Sequence, residues 1–263
     1  MPPSSTPDLS MTRRLQVVLP SFNEEIALSR LFPQFEELAA RLKDQLSLLV
    51  VDDGSSDDTA RVAEEWEGKV PVGLVRFPRN RGYGAALETG VTESARELAC
   101  SDLIATMDAD DTHPPRYLAN MVKALDEEGL EVVIASRYAP GAREEGVSWD
   151  RRLLSRGASF FYQWAFHLPH VRDYSCGYRL FKAGLIQDAL RGGIGGLGLD
   201  TGFHATGQLL LRLREQTSRI GEVPFELHYE RKPTPSKMRK LQTVLGTLKY
   251  LREVRRTVAK LPK

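Results

Sequence analysis

Short apolar runs alternate with amphipathic stretches along the first half of this chain, and a polar cluster follows nearly every apolar run. The runs at residues 15–19, 46–51, 72–77, 103–107 and 132–136 read as buried strands. The stretches at 24–43, 56–66, 83–98 and 114–128 read as helices, the last with proline in its first turn. Strand and helix in strict alternation predict an α/β domain: a Rossmann-like, mostly parallel sheet with right-handed crossovers and helices on its faces. Such a sheet binds ligands outside the carboxyl ends of its strands. The clusters Ser21 to Glu24, Asp52 to Ser55, Asp108 to Asp111 and Arg137-Tyr138 all follow strand ends, so they are expected to converge on one edge.

At 263 residues, 41% hydrophobic and 27% charged, the chain can bury a sizeable core. Its formal net charge of +1 gives no global field for nucleic acid, although residues 231–263 are locally basic. Two cysteines, Cys100 and Cys176, match neither a disulfide framework nor a zinc site and fit a reducing compartment. Residues 1–12 are Pro/Ser-rich without an apolar centre, which predicts a disordered tail rather than a secretory signal. No apolar run reaches the roughly 18 residues of a spanning helix. The catalytic domain is placed at 13–236. Its second half is less regular: a helical stretch over 151–167 rich in aromatics, a glycine-rich loop over 192–198, a helix over 203–214 and a strand over 220–229. Residues 237–263 read as a basic amphipathic C-terminal helix.

Asp108, Asp110 and Asp111 put three carboxylates into four residues. Crowded anions repel, and a hard divalent cation, Mg²⁺ or Mn²⁺, is the partner that oxygen ligands favour. The same residues also suit a solvated turn ahead of the next helix. His113 is a possible fourth member or a packing residue. Asp52 and Asp53 can accept hydrogen bonds from a base or ribose, or the loop is a turn followed by an N-cap at Ser56 or Asp57, and both can hold together. Asn80-Arg81-Gly82-Tyr83-Gly84 opens a helix with glycines that let backbone approach a nucleotide, or pack against a neighbour; it is not a dinucleotide fingerprint.

Taken in order, these motifs resemble glycosyltransferase family 2, of the GT-A fold, and within it the dolichol-phosphate mannose synthases and related polyprenyl-phosphate glycosyltransferases. The residues that carry the likeness are Leu19 to Glu24, Val51 to Asp57, Asn80 to Ala86, Met107 to Asp110, His113 to Pro115 and Ala135 to Tyr138. In the second half they are Trp149 to Arg152, Ser155 to Ala158, Asp173 to Arg179, Ile220 to Pro224, Arg231 and Ser236-Lys237. The resemblance implies that Pro20, Phe22, Glu24, Asp52, Asp53 and Asp108 bind the nucleotide, and that Asp108 and Asp110 hold the metal. It implies catalytic roles for Asp110, Arg137 and Arg231, and places Arg151, Ser155 and Lys237 at the phosphates or the acceptor. Three positions depart from the family pattern: Thr112 after the metal motif, Gln208 where a glutamate is usual, and Pro233 to Pro235 in place of a glycine-containing loop.

The function implied is metal-dependent, inverting transfer of a hexose from a nucleotide-diphosphate sugar, GDP-mannose by likeness, to a polyprenyl phosphate. That acceptor is already anionic near neutral pH, so it needs no strong general base. It also implies a protein at the cytoplasmic face of a membrane, held peripherally by its own surface or by a membrane-embedded partner. Two other readings of the residues are transfer to a soluble or glycan hydroxyl, and an inactive nucleotide-sugar-binding scaffold.

Overall fold

The computed structural model describes residues 12–146, 163, 168, 171–192, 196–202 and 204–231. The expected helix over 237–263 and all of that over 151–167 except Gln163 lie outside that set, and with them Arg151, Ser155 and Lys237, as does nearly all of the expected tail at 1–12.

The architecture is the α/β one expected. Nine strands are described: β1 (Arg14–Ser21), β2 (Gln45–Asp52), β3 (Val72–Arg76), β4 (Leu103–Thr106), β5 (Val132–Ser136), β6 (Arg143–Glu145), β7 (Arg179–Lys182), β8 (Ile220–Pro224) and β9 (Glu226–His228). The helices are α1 (Glu25–Ala39), α2 (Thr59–Glu64), α3 (Tyr83–Glu97), α4 (Tyr117–Glu127), α5 (Ala183–Gly192) and α6 (Ala205–Gln216), followed by a 3₁₀ turn at Tyr229–Arg231. Seven strands form one sheet in the order β3-β2-β1-β4-β7-β5-β8, and β6 pairs with β9 in a second, two-stranded sheet. Every pairing in the large sheet is parallel except those of β7, which runs antiparallel to both β4 and β5.

The central strands are apolar on both faces because helices cover both. Leu15, Val17, Val18 and Leu19 of β1, Leu103, Ile104 and Ala105 of β4 and Val132 to Ala135 of β5 are fully buried. Amphipathic α1 buries Leu28, Leu31, Phe32 and Phe35 at helical spacing. On α3, Gly90 lets the helix close on the sheet: a Cβ there would stand 2.3 Å from a Val18 methyl.

Register fixes where the polar motifs fall. Ser21 pairs with Asp52 across β1 and β2, and Val18 with Thr106 across β1 and β4. The strand ends are therefore level, and Asp108 falls at the height of Pro20.

Several expected elements are shorter, for local reasons. Helix α2 starts at Thr59 rather than 56, because the backbone before it is tied elsewhere: Ser56 N–H donates to Asn23 Oδ1 and Asp58 N–H to Glu25 Oε2. Before α4, Tyr117 and Leu118 donate to Pro114 and Pro115 in 3₁₀-type turns, so the helix begins at Tyr117. The expected strand over 220–229 divides at Phe225. Pro224 ends the ladder with β5, and β9 departs to pair with β6.

Candidate active site

The loops after β1 and β2 are stitched together. Asn23, at φ +54°, donates its N–H to Ser55 Oγ and accepts from Ser56 N–H, while Glu24 N–H donates to Thr59 Oγ1 at 2.7 Å. Pro20 pairs with Val51 one residue before the end of β1, and Phe22 is half-buried just beyond the strand. Asp52 is fully buried: it accepts Ser55 N–H at 2.8 Å and faces Arg76 at 3.2 Å. Asp53 accepts from Arg81 N–H at 2.6 Å and Gly82 N–H at 2.9 Å, one on each oxygen. Burial pushes its carboxyl above the usual range, against the pull of those two donors. The two aspartates thus shape the loops directly, Asp53 by holding the glycine-rich turn ahead of α3. Beside them a cleft of about 320 Å³ is lined by Gly54, Ser55, Arg76, Phe77 and Pro78, and the Arg81 guanidinium lies 4.5 Å over the Phe77 ring.

The acidic loop after β4 is largely enclosed. Asp108 is half-buried, with one oxygen 3.4 Å from the Tyr83 hydroxyl. Asp110 is 8% exposed and accepts from both the N–H and the hydroxyl of Thr112. Asp111 sits at φ +61°, a conformation uncommon outside glycine, and Gln34 of α1 donates to its carboxylate at 2.9 Å. His113 is a packing residue: buried, stacked on Tyr178 at 5.4 Å, with Nδ1 accepting from Asp108 N–H.

Asp108 and Asp110 fit a hard divalent cation. Both offer carboxylate oxygens in a mostly water-excluded turn, and the side-chain partners described for Asp108 are hydroxyl, not cationic. Gly177 faces Asp108: a Cβ there would stand 3.2 Å from Oδ1, so glycine keeps that side of the oxygen open. Among the described residues, the one triad whose ligand atoms gather within 4.8 Å is elsewhere, at Glu145, His228 and Glu230. There His228 Nδ1 lies 2.8 Å from Glu230 and 3.4 Å from Glu145, and both glutamates are exposed. Those contacts suit a charge cluster that pins β9 to β6.

Basic groups approach from the other half of the sheet. Arg137 follows β5, with Nε and Nη2 each 2.7 Å from an oxygen of Asp173 and Nη2 also 2.7 Å from Ser175 Oγ. Burial opposes Asp173's ionisation, but Arg137 and the backbone N–H donors outweigh it and hold the carboxyl below its ordinary value. Fully buried Arg179 donates to the carbonyls of Tyr174 and Thr206, joining the 173–179 segment to α6. Burial pushes the Cys176 thiol up to about 12, so it is a protonated packing residue. Arg231 closes the 3₁₀ turn after β9, and His228 N–H donates to Thr112 O at 3.0 Å, which brings this turn beside the acidic loop.

Pro20, Phe22, Glu24, Asp52, Asp53, Asp108, Asp110, Arg137 and Arg231 therefore all lie at the carboxyl-end edge of the sheet or on the turn against it. Sequence reading gave no individual role to Tyr83, Gln34 or Glu222, whose partners lie distant in the chain, nor to the Asp200–His204 pair, four residues apart. Glu222, for example, accepts from the N–H groups of Arg172 and Asp173 at 2.7 Å each.

A family model described as glycosyl transferase family 2 matches residues 16–190. The chain is 29% identical over 215 residues to a dolichol-phosphate mannosyltransferase of Pyrococcus furiosus, covering 81% of this chain and 56% of that protein. It is 29% identical over 178 residues to a polyprenol monophosphomannose synthase of Mycolicibacterium smegmatis, covering 67% and 64%. The chain thus spans less than two thirds of either relative's length. Among solved structures it is similar to glucosyl-3-phosphoglycerate synthase from Mycobacterium tuberculosis in complex with Mn²⁺, UDP and glucosyl-3-phosphoglycerate. The TM-score is 0.59 at 18% identity, with 95% of this chain and 81% of that one covered. At that identity the likeness shows the shared fold.

Proposed function

The chain belongs to glycosyltransferase family 2, and from that membership we propose that it transfers a hexose, mannose from GDP-mannose, to a polyprenyl phosphate with inversion at the anomeric carbon. The observation that carries the reading is the meeting of the acidic loop at Asp108 and Asp110 with the stitched loops after β1 and β2 at one edge of the sheet. Relatives named for transfer of mannose to prenyl phosphates support the choice of sugar and acceptor.

In this reading Pro20, Phe22, Glu24, Asp52 and Asp53 form the nucleoside end, with Asp53 acting through the Arg81-Gly82 backbone it holds. Asp108 and Asp110 would hold Mg²⁺ or Mn²⁺, whose charge neutralises the departing diphosphate. Arg231 meets a phosphate from the 3₁₀ turn, and Arg137 does so with Nη1, the guanidinium nitrogen not engaged by Asp173. Arg151, Ser155 and Lys237 complete the acceptor side. The acceptor phosphate attacks as an anion. Among the described residues no helix is long and apolar enough to cross a membrane. The prenyl chain is then met by peripheral docking at the cytoplasmic face, through residues 151–167 and 237–263 or a membrane-embedded partner.

The test is transfer of radiolabel from GDP-mannose or UDP-glucose to membranes containing polyprenyl phosphate. Label from GDP-mannose should enter the lipid phase, and excess EDTA or Asp110→Asn should nearly abolish it. Label that stays in an aqueous product would favour a hydroxyl acceptor, and full activity in EDTA would sink the metal assignment. Sedimentation with anionic vesicles at low salt tests autonomous docking.

A further inference from the structure

Helix α3 begins at Tyr83, and the backbone on both sides of that residue is tied down. Asp53 accepts the N–H groups of Arg81 and Gly82 at 2.6 and 2.9 Å, and Gly84 N–H donates to Thr201 O at 3.0 Å. Both flanking glycines are sites of close approach: a Cβ at Gly82 would stand 2.5 Å from Thr201 O, and one at Gly84 only 1.7 Å from Asp200 O. The point from which the Tyr83 side chain leaves is thereby set.

That side chain runs to the acidic loop. Its hydroxyl lies 3.4 Å from Asp108 Oδ1, and the Thr206 side chain is a second hydrogen-bond partner of the same hydroxyl. An ionised carboxylate only accepts, so the phenolic proton lies toward Asp108 and the Thr206 hydroxyl donates to the phenol oxygen. Thr206 is itself anchored: it is buried in the first turn of α6, and its carbonyl accepts from fully buried Arg179. Glycine at 177 lets the two oxygens meet. A Cβ there would stand 2.9 Å from the Tyr83 hydroxyl and 3.2 Å from Asp108 Oδ1. Gly177 O in turn accepts from the Thr106 hydroxyl at 2.7 Å, at the end of β4 and two residues before Asp108. The backbone of Asp108 is held as well, its N–H donating to His113 Nδ1 at 3.3 Å. Main chain and one carboxylate oxygen of Asp108 are both fixed, and the described side-chain contact falls on Oδ1 rather than Oδ2.

We propose that Tyr83 is a positioning residue for the metal site: its hydroxyl, backed by Thr206, holds Asp108 Oδ1 so that the carboxylate meets a divalent cation in one orientation, through Oδ2. The proposal rests on Asp108 being a ligand of that cation. Ordering a ligand before the ion arrives lowers the cost of binding it, and outer partners of metal ligands act in this way. The same hydroxyl ties the acidic loop to the turn that Asp53 holds, so the two ends of the donor site are set by one connected chain of contacts.

The experiment measures Mn²⁺ binding by electron paramagnetic resonance, with GDP present, in wild type, Tyr83→Phe, Thr206→Val and the double variant. Tyr83→Phe keeps the ring and removes only the donor. Its Kd for Mn²⁺ should rise about three- to tenfold, while the Tm of the metal-free protein changes little. In the lipid-phase label assay the same loss should appear as a higher KM for Mn²⁺, with kcat recovered at saturating metal. Thr206→Val should weaken Mn²⁺ binding less than Tyr83→Phe does. The double variant should be no weaker than Tyr83→Phe alone, because Thr206 acts through the phenol. Mn²⁺ binding by wild type with an equal Kd in Tyr83→Phe would overturn the proposal and leave the metal assignment standing, whether or not the variant melts earlier. Absence of Mn²⁺ binding by wild type would overturn both. A fall in kcat that saturating Mn²⁺ does not restore, at unchanged Kd, would also overturn the positioning role.

Discussion

Arg137 lays Nε and Nη2 on the two oxygens of Asp173 at 2.7 Å each, and its own backbone N–H donates to the same carboxylate at 3.1 Å. Asp173 is fully buried and the Arg137 side chain 16% exposed. An arginine given a catalytic role by resemblance is therefore also the counter-ion of a buried acid. Removing it leaves Asp173 charged and uncompensated. Arg137→Ala is expected to destabilise the fold by about 3–5 kcal/mol, measured by urea denaturation, besides lowering turnover. Arg137→Lys should recover only part of this, because an ammonium cannot make the two-pronged contact. A loss of activity at full stability would show that the pair contributes little to folding.

The same pair sets an acid limb. Burial raises the Asp173 carboxyl, the Arg137 guanidinium and N–H donors lower it further, and the net direction is down. A carboxylate held low when folded stabilises the protein above its unfolded value, about 3.9, and loses that contribution as pH falls through the folded value. Stability from this contact should thus be complete at pH 5 and fade only below about pH 4. Acid unfolding followed by circular dichroism should have its midpoint at higher pH in Asp173→Asn than in wild type. Coincident acid midpoints would argue that other carboxylates govern the transition.

Alternation and strand-end polarity made the parallel sheet and its reactive edge legible, because both are local properties of β1, β2, β4 and β5. Strand β7 was not legible. Four residues, Arg179–Lys182, pair antiparallel between β4 and β5, and nothing so short has a readable period. The Asp53 contacts to Arg81 and Gly82 span 28 and 29 residues, and those of Arg137 to Asp173 span 36. Residue type announces that such groups need partners, but only the fold supplies them. Asp111 is a further case. Its carboxylate looked like one more metal ligand, yet its positive φ and its bond to Gln34 give it the task of turning the loop.

Asp53 offers a test of turn-holding against ligand-reading. Its two oxygens each accept a backbone N–H, and an asparagine keeps one acceptor while setting an amide N–H₂ against the other donor. Asp53→Asn should cost about 1–3 kcal/mol and loosen the Arg81-Gly82 turn, seen as faster amide exchange there. Because burial raises the Asp53 carboxyl, its ionisation opposes stability. That penalty is absent below the unfolded carboxylate value and grows as pH rises through the folded one. The stability gap between wild type and Asp53→Asn should accordingly narrow as pH rises above about 4, the unfolded carboxylate value. Loss of nucleotide affinity with unchanged exchange at Arg81 and Gly82 would make Asp53 a ligand reader alone.

Gly84 and Gly129 separate close approach from backbone conformation. Gly129 sits at φ +66° with nothing within 4 Å of a Cβ, so Gly129→Ala pays only for the left-handed conformation, about 1–2 kcal/mol. Gly84 has no such φ, and an exposed site of its kind would gain from alanine's helix propensity. Yet its Cβ would fall 1.7 Å from Asp200 O and 2.8 Å from the Ala205 side chain. Backbone cannot rotate away as a flexible side chain can, so Asp200 and Ala205 must shift away from α3. Gly84→Ala should therefore cost about 1–3 kcal/mol and, unlike Gly129→Ala, lower turnover, because the adjacent Tyr83 reaches Asp108. Thermal melts with steady-state kinetics on both variants make the comparison. Equal turnover in the two would mean that the packing of Asp200 on α3 does not bear on the loop at Asp108.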